Sequence, residues 1–216
     1  MKEVKEVKEH RVPLRQRQAL ETRRAIAHTA RVLFAERGYA ATSIEVLAEE
    51  AGVAARTVYS IFGTKKAILG AICEEWLTEA GVMESVAAGL AMPDLRRRLA
   101  VVANSSRRQW ESERGVRAML DGAAASDADV ARMVTSWKDD RARSLRSVVT
   151  GLEAGLRPGI DGDRAGAIIR ALSSPDIYCE LVTAEGWTPG EYEEWLDGLL
   201  SDVLLPAPPR KVGSAK

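Results

Sequence analysis

Residues Thr42–Lys65 read TSIEVLAEEAGVAARTVYSIFGTK, and the reading of this stretch decides the fold. Thr42-Ser43-Ile44-Glu45 has the form of a capping box: the Thr42 hydroxyl would accept a backbone N–H while Glu45 reaches back to the cap. The helix it opens carries Ile44, Leu47, Ala48 and Ala51 on one side. Gly52 breaks it, Val53 returns the chain to the core, and a short helix follows from about Ala55 to Phe62. Gly63-Thr64 ends that helix, and Thr64 is a natural N-cap for a further helix starting at Lys65. Helix, glycine turn, short helix is the helix-turn-helix arrangement, whose second member lies exposed for the major groove of DNA. Three short helices also suit a purely structural bundle. The outer face of the Ala55–Phe62 helix separates the two readings. Val58 and Phe62 take the buried i, i+4 positions, which leaves Arg56, Thr57, Tyr59 and Ser60 outside. Those are the side-chain types that reach phosphates and base edges.

Upstream, Ile26, Ala30, Leu33, Phe34 and Arg37 follow i, i+4, i+7, i+8 spacing, which predicts a helix over 20–37 stopped by Gly38. Residues 1–19 are charged and lack an apolar face, so they read as a disordered arm in which Arg11, Arg15 and Arg17 face either solvent or DNA. Downstream, no segment alternates with period two, and the pattern stays helical to about Leu205. Asp94 begins a helix through Leu95, Leu99, Val102 and Trp110. Gly115 and Gly122 bracket a short one with Met119 and Leu120. Ser126-Asp127 opens a long one through Val130, Val134, Trp137, Leu145, Val148 and Leu152, closed by Gly155 and Pro158. Ser174-Pro175 and Thr188-Pro189-Gly190-Glu191 are further helix starts. The tail 206–216 reads as disordered. The fold class is therefore all-α: a three-helix DNA-binding domain over 20–66 and a larger helical domain over 67–205.

Net charge is zero over 216 residues, but it is unevenly placed. Residues 1–66 carry 13 Lys and Arg against 8 Asp and Glu, whereas residues 67–216 carry 18 against 23. A basic N-terminal part on an acidic body suits a nucleic-acid binder, because phosphate attraction must be local to the reading head. Two distant cysteines, Cys73 and Cys179, make no disulfide framework, so a reducing cytoplasm is expected. With His10 and His28 as the only histidines, a Cys/His metal site or a Ser-His-Asp triad is hard to build, and no metal or cofactor is expected. No apolar run approaches a membrane span, and the N-terminus lacks the apolar stretch of a signal peptide.

Residues 22–72 resemble the tetracycline-repressor (TetR) family of transcriptional regulators. The resemblance rests on Ala30, Leu33, Phe34, Gly38 and Tyr39, then Thr42-Ser43-Ile44, Ala48, Ala51-Gly52-Val53, Thr57-Val58-Tyr59, Phe62, Lys65 and Leu69. It implies a homodimer that reads a palindromic double-stranded operator, usually as a repressor released by a small-molecule effector. It also implies roles. Thr42 and Ser43 would contact phosphate, Ala55, Arg56, Thr57 and Ser60 would face bases, and Tyr59 and Lys65 would meet the DNA backbone. The chain departs from the family pattern at three places. Ala54 stands where Ser is common, so a cap worth about 1 kcal/mol is missing. Arg56 stands where Gly is common and becomes the individual determinant of the operator. Ile61 replaces a commonly polar residue.

All five tryptophans lie beyond residue 66, at 76, 110, 137, 187 and 195. Trp110 and Trp137, with Met119 and Met133, suit the wall of an apolar effector pocket as well as they suit ordinary packing. Arg107 and Arg108 face either a ligand anion or solvent. Two C-terminal helices are expected to form the dimer seam, one through Ala167 and Ala171, the other through Trp195, Leu199 and Val203. A small helical enzyme is the runner-up reading and lacks a nucleophile–base pair. A protein-only adaptor leaves the exposed Arg56-Thr57-Tyr59 face unexplained.

Overall fold

The structure, a computed structural model, describes residues 14–113 and 115–207. The expectations for residues 1–13, Arg11 among them, and for 208–216 lie outside the described residues. Among the described residues there is no strand. The chain divides into two compact units, Met1–Ile72 and Cys73–Lys216.

In the first unit, α1 spans Leu14–Arg37, α2 Ile44–Glu50 and α3 Ala55–Phe62, and α4 begins at Lys65. Helix α1 starts six residues before the expected Leu20. Residues 14–19, LRQRQA, are strong helix formers and extend the helix without needing an apolar face. Arg15 and Arg17 are thus helical and exposed. Ile26, Ala30, Leu33 and Phe34 of α1 meet Leu47 and Ala48 of α2 and Val58 of α3 in one core, all at most 2% exposed. Each large side chain buried this way contributes about 1.5–3 kcal/mol.

The cap of α2 differs from the expected one. Ser43 is the N-cap, its Oγ accepting the Val46 N–H at 3.2 Å. Thr42 is completely buried, and its hydroxyl donates to the Gly38 carbonyl at 2.9 Å. The cause is the left-handed turn at Gly38 (φ 82°), which folds the chain back so that Thr42 lies under the end of α1. The turn between α2 and α3 depends on Gly52 at φ 66°, a conformation that costs a Cβ-bearing residue about 1–2 kcal/mol. Across it the Val53 N–H donates to the Ala48 carbonyl at 2.9 Å.

Helix α4 runs through Glu79 and crosses the division at Ile72/Cys73 as one continuous helix. The second unit continues with α5 Val82–Leu90, α6 Leu95–Glu111, α7 Val116–Ser126, α8 Ala128–Ser147, α9 Gly162–Leu172, α10 Pro175–Tyr178 and α11 Pro189–Leu204. Helix α11 packs on α6 and α9, α8 on α7 and α9, and α5 on α6. Asp94 and Asp127 cap α6 and α8 as their sequences predict, and Thr188 with Glu191 forms a full capping box on α11.

Two boundaries differ from expectation. Gly122 lies inside α7 rather than at its end, a cost of about 1 kcal/mol that burial of Met119 and Ala123 outweighs. Helix α8 stops at Ser147, short of Leu152. There Arg98 of α6 donates to the carbonyls of Val148 at 3.0 Å and Thr150 at 3.2 Å, capping the chain as it turns through Gly151 (φ 77°). Gly166 of α9 is needed for contact with α8, because an added Cβ would lie 3.1 Å from the Arg146 Cα.

The N-cap of α3 is Ala54, in extended geometry and with no side-chain hydrogen bond to the first turn. Ala54→Ser should therefore stabilise the first unit by about 1 kcal/mol. Hydrogen exchange of the α3 amides should slow several-fold relative to the parent chain. Unchanged exchange would mean that solvent or α2 already satisfies that turn.

Candidate nucleic-acid interface

Helix α3 has two faces fixed by two residues. Val58 is fully buried and Phe62 nearly so, with the Arg23 guanidinium 4.6 Å above the Phe62 ring. Opposite them Arg56, Tyr59 and Ser60 are exposed at i, i+3 and i+4, forming a single stripe, while Ala55 and Thr57 flank it half-buried. The stripe offers a guanidinium, a phenol and a hydroxyl from a helix that is only eight residues long and held from behind. Such a helix can enter a major groove as a rigid edge.

The other expected DNA contacts divide. Ser43 is exposed beside the stripe, though its hydroxyl already caps α2. Thr42 drops out: its side chain is enclosed and hydrogen-bonded, so it has nothing to offer a phosphate. Lys65 is turned to a structural task. Its ammonium donates to the Tyr39 carbonyl at 2.6 Å and the Thr42 carbonyl at 3.0 Å, and lies 4.2 Å above the Tyr39 ring. It thereby ties the start of α4 to the turn between α1 and α2.

Sequence reasoning also passed over Glu45 as a neighbour of the stripe. The Tyr59 hydroxyl donates to its carboxylate at 3.2 Å. Glu45's own backbone N–H, then the Ser43 hydroxyl, then Tyr59 hold its carboxyl below the usual range, and the carboxylate in turn raises the Tyr59 phenol. A phosphate approaching Tyr59 must displace this internal anion. The i, i+14 relation of Glu45 to Tyr59 spans the glycine turn, so no local pattern reveals it.

Residues 26–72 match the family model for bacterial regulatory proteins of the tetR family. The chain carries the tetR-family DNA-binding domain. Solved structures of similar fold agree along most of the chain. NalD of Pseudomonas aeruginosa, the secondary repressor of the MexAB-OprM multidrug efflux pump, is 19% identical with a TM-score of 0.69, covering 88% of this chain and 99% of its own. SmeT, solved with triclosan, is 19% identical with a TM-score of 0.70, covering 87% and 93%. A Saccharomonospora viridis protein in complex with choline is 22% identical with a TM-score of 0.60, covering 87% and 99%. Comparison with curated proteins finds no match. The TetR-type helix-turn-helix thus stands on sequence and fold together, and the helical second unit stands on fold.

That second unit contains a cavity of about 70 Å³ bounded by α5, α6 and α8. None of the sequence-predicted ligand residues lines it. Trp110 is buried in the core instead, its indole N–H donating to the Ser173 carbonyl at 3.0 Å and its ring 6.0 Å from that of Trp76. Met119 is likewise buried, and Met133 and Trp137 are half-buried away from the cavity wall. Trp110 and Met119 thus fill space within the core. The wall includes Ser105, Ser106 and Gln109 instead. A signal for it existed: the apolar stripe Leu95, Leu99, Val102 continues along α6 as Ser105, Ser106 and Gln109, polar residues at core positions. Arg107 pairs with Glu193 at 2.6 Å and with Glu111, so it is not turned to a ligand. Among the described residues no helix is long and apolar enough to cross a membrane, and no cluster of His, Cys, Asp and Glu could hold a metal ion.

Lys65 gives a direct test. Lys65→Ala should destabilise the turn between α1 and α2 by about 1–3 kcal/mol, the range for hydrogen bonds from a charged donor. Amides of residues 38–46 should exchange faster by hydrogen-exchange mass spectrometry in the absence of DNA. If exchange there is unchanged and only the salt dependence of DNA binding falls, Lys65 serves phosphate alone.

Proposed function

We propose that the chain is a homodimeric repressor that binds a palindromic operator and leaves it when a small-molecule effector occupies the helical unit. The observation that carries this reading is the exposed Arg56, Tyr59 and Ser60 stripe on a helix clamped by Val58 and Phe62. Arg56 is the base reader: it lies in the first turn of α3, the end that enters the groove deepest, and its guanidinium fits guanine O6 and N7. Ser43, Thr57, Tyr59 and Ser60 position the helix on the backbone and neighbouring bases, with Ala55 in van der Waals contact. NalD, of similar fold, is a repressor, and SmeT was solved with a small molecule bound; the same division between reading head and effector unit is proposed here. Working on DNA places the protein in the cytoplasm.

Helix α4 is suited to couple the two functions. Its first residue, Lys65, is bonded to the α1–α2 turn, and further along Trp76 donates its indole N–H to the Gln109 carbonyl at 3.2 Å. Gln109 also lines the cavity. An effector that shifts Gln109 therefore acts on a helix that ends in the reading head. Two recognition helices must span about one turn of DNA, roughly 34–36 Å, so a displacement of a few ångströms misplaces one of them.

The dimer seam is proposed on the outer faces of α9 and α11. The inner face of α11, Tyr192, Leu196, Leu200 and Leu204, is fully buried within one chain. The outer face keeps Trp195, Leu199 and Val203 half-exposed, next to an α9 whose Ala167 and Ala171 are exposed and small. Leu199→Glu should give a monomer by sedimentation with little loss of helix by circular dichroism. A dimer that survives this substitution has its interface elsewhere.

DNA from the gene's own upstream region should be retarded in a gel shift by the parent chain. Arg56→Ala should weaken operator binding by about 1–3 kcal/mol, roughly 5- to 150-fold, and scrambled DNA far less. Equal losses on both DNAs would assign Arg56 to phosphate, and no retardation of any duplex would remove the regulator reading.

A further inference from the structure

The cavity in the second unit has an unusual electrical composition. Two guanidiniums, Arg98 and Arg141, line it, together with Ser105, Ser106, Ser144 and Gln109, and no carboxylate does. Apolar side chains, Val86, Leu90, Val101 and Leu145 among them, form the rest of the wall. Arg98 is engaged by neutral carbonyls only, those of Met92, Val148 and Thr150.

Arg141 is the more telling of the two. Its Nη2 donates to the Ser173 carbonyl at 2.9 Å and to the Ser173 hydroxyl at 3.2 Å, and its guanidinium lies 5.3 Å from the Trp110 ring centre. Its Nε and Nη1 make no hydrogen bond among the described residues, and no carboxylate there pairs with it. Burial, with the charge of Arg170 adding to it, pushes the Arg141 guanidinium down to about 10, so it is still a cation at neutral pH. A charge drawn out of water without a counter-charge raises the free energy of the folded state. The Ser105, Ser106 and Gln109 side chains are also buried and make no hydrogen bond to the protein among the described residues. Unused donors on a half-buried cation, neutral hydroxyls beside it and an apolar wall opposite form a complementary surface for one class of molecule.

We propose that this cavity binds a small organic anion, a carboxylate on a short apolar body, with Arg141 as its counter-ion and Arg98 reinforcing the positive field. One carboxylate oxygen accepts an unused N–H of the Arg141 guanidinium, the serine hydroxyls and Gln109 donate to its second oxygen, and the apolar body lies along Val86, Leu90, Val101 and Leu145. At about 10–15 Å³ for each water-sized group, 70 Å³ holds about five to seven such groups, which favours a short chain or a single ring. Cations are repelled, so choline is not a ligand of this chain. The proposal rests on reading the second unit as the effector domain.

The test is calorimetric titration of the full chain with straight-chain monocarboxylates from butyrate to decanoate and with benzoate. Each is compared with its primary amide, and choline serves as the cationic control. At least one carboxylate should bind with a dissociation constant below about 1 mM, and its amide at least about tenfold more weakly. Arg141→Gln should erase the difference between acid and amide, and Arg141→Lys should keep part of it. Because Arg141 also supports Ser173, the melting temperature of each variant is recorded. Ser106→Leu, which fills the cavity from α6 and leaves Arg141 in place, should abolish carboxylate binding while the chain stays folded. Amides binding as well as acids, tighter binding of choline, unaltered carboxylate binding in folded Arg141→Gln, or no carboxylate bound at all would overturn the proposal. Adding the binding carboxylate to the operator complex separates the two readings. Binding without release of DNA upholds the cavity's chemistry and defeats the effector role. Release by neutral compounds alone upholds the effector role and defeats the anionic class.

Discussion

Eight residues are too few for a helix to persist alone in water, where nucleation outweighs the gain from two turns. Helix α3 persists because Val58 and Phe62 are buried against α1 and α2. The same burial fixes its rotation about its own axis. Were Val58 to lose its place, Arg56, Tyr59 and Ser60 would lose their common direction along with the helix. The turn at Gly52 is part of this constraint, since it brings α3 back across α2 at the angle that lets Val58 reach the core. Recognition chemistry on the outside is therefore a consequence of apolar packing on the inside.

A second consequence runs along α4. Lys65 hydrogen-bonds two carbonyls of the turn between α1 and α2, and Trp76 hydrogen-bonds the Gln109 carbonyl on α6. Lys65 and Thr42, both expected from the sequence to meet phosphate, are hydrogen-bonded within the fold instead.

The second unit shows the opposite economy of polar groups. Most of its core is closed by side chains such as Leu99, Ile169, Tyr192, Leu196 and Leu200. Where α5, α6 and α8 meet, polar residues occupy core positions and a guanidinium stays without a counter-charge. Buried polar groups raise the energy of the folded chain unless something satisfies them. Arg107 and Arg117 find carboxylates elsewhere in the unit, whereas Arg98 and Arg141 at the cavity meet only neutral oxygens.

The sequence by itself determined the elements whose physics is local. Hydrophobic spacing marked α1, α3 and α6, glycines marked the turns, and Asp94, Asp127 and Thr188 marked helix starts, because each depends on residues within a turn or two. The outward stripe of α3 was legible for the same reason: Val58 and Phe62 point one way, so Arg56 and Ser60 must point the other. The density and order of these signals also made the family visible. Only the tertiary structure decided that Ser43 and not Thr42 caps α2, since that depends on how Gly38 folds the chain under α1. It also decided that Lys65 braces a turn 23 residues away in sequence from its Thr42 partner, that Glu45 meets Tyr59 across the glycine turn, and that α8 ends where Arg98 reaches it. The cavity was out of reach for a related reason. Whether a tryptophan fills a core or lines a pocket, and whether an arginine meets a carboxylate or none, is settled by which helices lie opposite, and that is a property of packing between segments far apart in the chain.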